Sequence, residues 1–248
     1  MEQSSEQSLF GQRLQHIGEA IVVIIVAYIC ASIAITLLDP AIRILAAQIE
    51  GTDVTLIAQT MLQFIVIMGV VVWYAKLIDT ERLLPFRLPD GLTTGIIVGG
   101  TVLLLGLQYL INQLLQLADL EPGANQAVLA GSGDPTYFLI MVPVSILFVG
   151  PAEELLFRGA VQGRLRESWG VWPAIILASL LFGLIHILAV PGDLGDQLPY
   201  ALVATMLGIP LGYLYEYTKN IIVPSLIHGA YNATIFGFLY LNEIGFFA

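Results

Sequence analysis

Residues 17–38 read IGEAIVVIIVAYICASIAITLL, twenty-two positions with a single charged side chain, Glu19. As a helix at about 1.5 Å per residue this run is ~33 Å long, enough to cross a hydrocarbon layer of about 30 Å. Six further runs of the same kind follow it: Leu56–Ile78, Leu92–Leu117, Tyr137–Phe157, Val171–Val190, Leu198–Tyr217 and Ile221–Leu241. Between them stand turn-forming clusters: Asp39-Pro40, Pro89-Asp90-Gly91, Gly131-Ser132-Gly133-Asp134-Pro135 and Pro191-Gly192-Asp193. Segments of about ten residues alternating apolar and polar, the mark of a membrane β-barrel, are absent from the sequence.

Composition agrees. Hydrophobic residues make up 57 % of the 248-residue chain and charged residues 11 %, against about 25 % charged in a soluble domain. The sequence predicts an all-α polytopic transmembrane bundle of about seven spans. Residues 1–248 read as one integral membrane domain, in which 1–136 carries helices without motifs and 137–241 the polar motifs. The first run reads as an uncleaved span, because Met1–His16 holds one Arg against two Glu and lacks a basic leader. Ala41–Ile49, inside the longer loop Pro40–Asp53, could form a short interfacial helix, a point the sequence leaves open. Nine Lys+Arg against nineteen Asp+Glu exclude a nucleic-acid partner. The single Cys30 excludes an internal disulfide framework and a Cys-based zinc cluster.

The cations set an orientation. Arg13, Lys76, Arg82, Arg87, Arg158, Arg164, Arg166 and Lys219 fall on one side of the spans and Arg43 alone on the other. The Arg43 side collects Asp39, Glu50, Asp53, Asp119, Glu121, Asp134, Asp193, Asp196 and Glu243. This places the N-terminus in the cytoplasm and the C-terminus outside, in a multi-pass protein of the cell membrane.

Ionisable groups at membrane depth cost about 2.5–3.5 kcal/mol each even on insertion scales, so each invites a functional reading. Here they cluster in three motifs. The fourth span ends Glu153-Glu154-Leu155-Leu156-Phe157-Arg158; the fifth contains Phe182-Gly183-Leu184-Ile185-His186; the seventh contains His228-Gly229-Ala230-Tyr231-Asn232. Glu154 and Arg158 are four apart and share a helix face, as do Phe182 with His186 and His228 with Asn232. Adjacent Glu153 and Glu154 point about 100° apart, so one of them is free of Arg158. If the fourth and fifth spans turn near Trp169-Gly170, Glu153 and His186 lie at one depth on neighbouring helices. A carboxylate taken out of water is a competent general base near neutral pH. A histidine beside it can hold the same water and shuttle its proton. A second histidine with an amide can donate hydrogen bonds to a developing oxyanion. Together these groups suit hydrolysis of an acyl bond by activated water.

Glu-Glu-x-x-x-Arg, Phe-x-x-x-His and His-x-x-x-Asn, in that order on three separate spans, resemble the CPBP (ABI) family of intramembrane proteases. That family includes the type II CAAX prenyl endopeptidases, and the resemblance covers roughly Tyr137 to Leu241. It implies that Glu153 activates the water, His186 shares it, and His228 with Asn232 forms the oxyanion hole. Glu154, Arg158 and Phe182 match motif positions that support the site or contact substrate. The family is often labelled metalloprotease, while its glutamate–histidine arrangement also supports a metal-free mechanism. The expectation is therefore no cofactor, with zinc on Glu153, His186 and His228 as the alternative. Implied partners are the lipid bilayer and a peptide or prenylated protein C-terminus, reached through a site opening to the cytoplasm.

Other readings stand beside these. Some family members are inactive scaffolds or bacteriocin-immunity proteins. A proton-coupled transporter also uses intramembrane Glu, Arg and His, but would show polar, broken helices in both halves. Glu154–Arg158 can be a structural pair, and Gln59, Gln63, Gln108 and Asn112 read as helix-knitting amides. His16 reads as solvated at the interface. Asn232-Ala233-Thr234 matches a glycosylation sequon inside a span, and Gly131-Ser132-Gly133 reads as turn chemistry rather than a nucleophile elbow.

Overall fold

The computed structural model describes residues 2–47, 49, 52, 54–78 and 85–247, with the backbone alone for 2–7. The described residues contain no strand. Seven helices are long and apolar enough to cross a membrane. They are α1 (Glu2–Ala46), α2 (Val54–Leu77), α3 (Gly91–Leu117), and, after a short α4 (Gln126–Ala130), α5 (Pro135–Trp169), α6 (Val171–His186), α7 (Leu194–Thr218) and α8 (Ile222–Glu243). The all-α polytopic bundle expected from the hydropathy is therefore the fold.

Two boundaries differ from the sequence reading. Helix α1 runs through Asp39-Pro40 to Ala46, so Ala41–Ala46 continues the first span and is no separate interfacial helix. A proline inside a helix costs about 3 kcal/mol through its lost N–H and the clash with the preceding turn. Side-chain bridges offset that here: Asp39 accepts from Arg43 one turn on, at 2.7 Å, and from Gln59 of α2, at 2.7 Å. Glu50, Asp53 and Arg82, which entered the charge argument, lie outside the described residues.

The second difference is α5, which continues twelve residues past Phe157. Its 35 residues span about 52 Å at 1.5 Å each, well beyond a hydrocarbon layer of about 30 Å. The polar residues that suggested an end are absorbed by partners. Gln162 donates to Gly212 O at 3.1 Å and to Glu216 at 3.2 Å, both on α7. Two stretches of α5, Ser145–Val149 and Leu155–Gln162, are π-helical. The turn into α6 falls at Gly170, whose φ of 78° only glycine adopts readily.

Packing runs α1 on α2, α2 on α5, α5 on α8, α8 on α3 and α7, and α7 on α6. The C-terminal end of α5 is wedged between α1 and α6. Helices α5 and α8 meet almost backbone to backbone. A Cβ added at Gly150 would stand 2.5 Å from Ser225 O and 2.7 Å from Gly229 N, and one added at Gly229 2.8 Å from Ile146 Cα. Small residues allow such contact, which van der Waals packing between membrane helices requires.

Contacts also distinguish the two ends. At one, Arg13 lies over the Trp169 ring at 5.2 Å and donates to Ser168 O; Arg164 pairs with Glu19 and Glu167; Arg166 and Lys219 pair with Glu216. His16 is buried there against Ser168, 2.9 Å away, rather than solvated. Asp90 caps α3 at this end, and the Thr93 N–H it accepts holds its carboxyl below the usual range. The other end is acidic: Asp134 and Asp193 cap α5 and α7, and Glu243 accepts from Gly133 N at 3.1 Å.

Candidate active site

The close approach of α5 and α8 at Gly150 and Gly229 brings the Glu-Glu motif against the His-x-x-x-Asn motif. Glu154 is fully buried and accepts from Arg158 Nε at 2.9 Å, the four-residue pairing the spacing predicts. Its other oxygen lies 2.9 Å from His228 Nδ1. The same ring turns Nε2 toward Glu153, 3.5 Å from Oε2. His228 therefore bridges both glutamates, a link the sequence does not show because it joins residues seventy-four positions apart.

From α6, His186 places Nδ1 2.6 Å from Phe182 O. A carbonyl only accepts, so Nδ1 carries the proton and Nε2 of the neutral ring is the acceptor. Phe182 is the packing centre: its ring lies 4.3 Å from that of His186, 5.7 Å from that of His228 and 5.0 Å from that of Phe157, and Arg158 sits over it at 5.4 Å. The guanidinium is thus held by one carboxylate and one aromatic face, both worth more once desolvated.

Glu153, His186, His228 and Asn232 all line one cavity of about 870 Å³, which Phe182 also borders. Glu154 and Arg158 lie behind its wall. Sequence reading missed three cavity residues, Tyr28, Asn125 and Tyr200; Asn125 donates to Tyr200 OH at 2.9 Å. Their signal is weak, since a tyrosine or loop asparagine is unremarkable in any sequence. Of the four amides read as helix-knitting, Gln59 does join α1 to α2, whereas Gln63, Gln108 and Asn112 border the cavity. The cavity lining also includes Pro122–Val128, from the acidic end.

Among the described residues no group of three or more His, Cys, Asp or Glu side chains is placed to hold a metal ion. Glu154, the nearest further carboxylate, is committed to Arg158 and His228.

Residues 135–234 match the family model Rce1-like, described as type II CAAX prenyl endopeptidase Rce1-like. The chain is also 33 % identical over 90 residues to a Bacillus subtilis (strain 168) protein named "Putative membrane peptidase YdiL". That alignment covers 36 % of this chain and 33 % of the relative, so the chain matches about one third of the relative's length. No solved structure matches the chain. The matched region runs from α5 into α8 and holds all three motifs. Over this stretch the chain is similar to the type II CAAX prenyl endopeptidases and to a putative membrane peptidase.

Proposed function

We propose that this protein is an intramembrane endopeptidase that hydrolyses a peptide bond with water activated by Glu153. The observation that carries the reading is the convergence of Glu153, His186, His228 and Asn232 on a single cavity. A water between the Glu153 carboxylate and His186 Nε2 gives its proton to Glu153 and attacks the scissile carbonyl carbon. The resulting oxyanion accepts from Asn232 Nδ2 and from His228 Nε2. Because His228 Nδ1–H points at Glu154, donation from Nε2 uses the doubly protonated ring. Collapse breaks the C–N bond, and the leaving amine takes the proton from Glu153. Arg158 fixes the Glu154 carboxylate, and Glu154 fixes the His228 ring.

The apolar share of the lining, with Tyr28, Leu104, Leu207, Ile235 and Phe236, suits a substrate presented from the bilayer. C-terminal processing of prenylated proteins is the substrate reading that the family's name carries. The competing reading, an inactive scaffold, leaves Glu153 without a task. Both are tested by incubating purified protein in lipid with prenylated and unprenylated C-terminal peptides, wild type against Glu153→Gln. Glutamine keeps shape and hydrogen bonding but takes no proton. Hydrolysis should fall by about 10²–10⁴-fold, the usual loss with a general base, while the folded protein is retained. Equal rates in wild type and Glu153→Gln would remove the proposal.

A further inference from the structure

The cavity runs from mid-bundle, where His228 of α8 and Leu207 and Leu211 of α7 line it, toward the acidic end. Thr60 lies in the first third of α2 and Asn112 in the last third of α3; Tyr137 opens α5, Leu188 follows α6, Tyr200 is in the first third of α7, and Ile235 is in the second half of α8. Each of these positions lies toward the acidic end of its helix. The segment Pro122–Ala130, which joins α3 to α5 at that end, forms the rim. It is pinned by Gly123 N to Asp196 O, at 3.0 Å, and by Asn125 to Tyr200. Toward the cationic end the bundle is closed instead: Arg158, Gln162 and Leu165 of α5 are fully buried between α1, α6 and α7.

Lys and Arg flanking membrane spans stay on the cytoplasmic side. At the cationic end the structure gathers Arg13, Lys76, Arg87, Arg164, Arg166 and Lys219, and at the rim end Arg43 is the lone described cation, paired with Asp39. The helix ends that carry the cations are the ends from which the cavity is absent. From these two facts, and resting on the peptidase reading for the chemistry, we propose that the cavity opens on the non-cytoplasmic face. Its substrate is then a membrane-anchored polypeptide whose scissile segment lies on that face, not the prenylated C-terminus of a cytosolic protein. A cytosolic tail would have to pass the closed half of α5 to reach Glu153.

The test uses the chain's single cysteine. In a Cys30→Ala background, cysteine is placed either at Gln126, exposed on the rim, or at Leu88, 80 % exposed at the cationic end. Intact cells are treated with a membrane-impermeant maleimide. Gln126→Cys should label without permeabilisation and Leu88→Cys only after it; the reverse pattern overturns the proposal. A second arm supplies an acyl-anchored fluorogenic peptide to right-side-out vesicles. Hydrolysis should appear without permeabilisation and be lost in Glu153→Gln. Hydrolysis that requires permeabilisation also overturns the sidedness. Rim labelling from outside with no Glu153-dependent hydrolysis upholds the opening and counts against the peptidase reading.

Discussion

His228 stands between two consecutive glutamates, with Nδ1 2.9 Å from Glu154 Oε1 and Nε2 3.5 Å from Glu153 Oε2. Consecutive helix residues diverge by about 100°, so the two carboxylates point in different directions from α5. A ring arriving from α8 can reach both, because Gly150 and Gly229 remove the side chains that would hold the helices apart. The site's precision thus rests on a glycine contact one turn away from the chemistry.

That contact is testable by volume alone. Gly150→Ala drives a methyl into Ser225 O and Gly229 N, backbone atoms that cannot rotate away. Overpacking of this kind costs about 1–3 kcal/mol. Thermal unfolding in detergent should show the loss, and hydrolysis should fall with it as His228 moves off the glutamates. Gly99→Ala in α3, where an added Cβ meets nothing within 4 Å, should leave both unchanged.

The Glu154–Arg158 pair should behave as structure before chemistry. Glu154→Gln leaves the fully buried Arg158 without its counter-charge. Removing one partner of a buried pair costs about 3–5 kcal/mol. Adding Arg158→Met to Glu154→Gln should restore most of the lost thermal stability while activity stays low, because His228 still lacks the Glu154 charge beside Nδ1. A double variant no more stable than Glu154→Gln would show that the pair is not the stabilising element.

His186→Ala should reduce hydrolysis by about 10²–10⁴-fold, as for loss of a general base, since it shares the water with Glu153. Asn232→Ala should cost about 10²–10³-fold if it donates to the oxyanion. Both proteins should unfold at the wild-type temperature, because both side chains face the cavity rather than the packed core. A melting point lowered in step with the rate would assign them to packing instead.

Metal removal gives a further check. Hydrolysis should persist after dialysis against a chelator, as the mechanism uses only protein groups. Loss on chelation with recovery on adding zinc would turn Glu153 and His228 into ligands rather than base and donor.

The sequence made the number of spans legible, because each run is long enough to cross a bilayer and turn chemistry separates them. The four-residue spacings made the Glu154–Arg158 pair legible too. What it hid were effects that act between helices. Pro40 looked like a terminator because its bridge to Gln59 of α2 is invisible in one dimension. Arg164 and Arg166 looked like a cytoplasmic loop because their carboxylate partners on α1 and α7 are far away in sequence.

The π-helical stretch Leu155–Gln162 has a consequence for what length the chain can have there. A π-turn holds one residue more than an α-turn, and such bulges occur where an α-helix has absorbed an extra residue. Removing a single residue between Glu154 and Gln162 would let the stretch relax to α-helix and turn everything beyond it by about 100°. Arg164, Arg166 and Trp169 would then face away from Glu19, Glu216 and Arg13, their partners on α1 and α7. Although it reads as ordinary helix, this segment should accept substitutions far more readily than deletions.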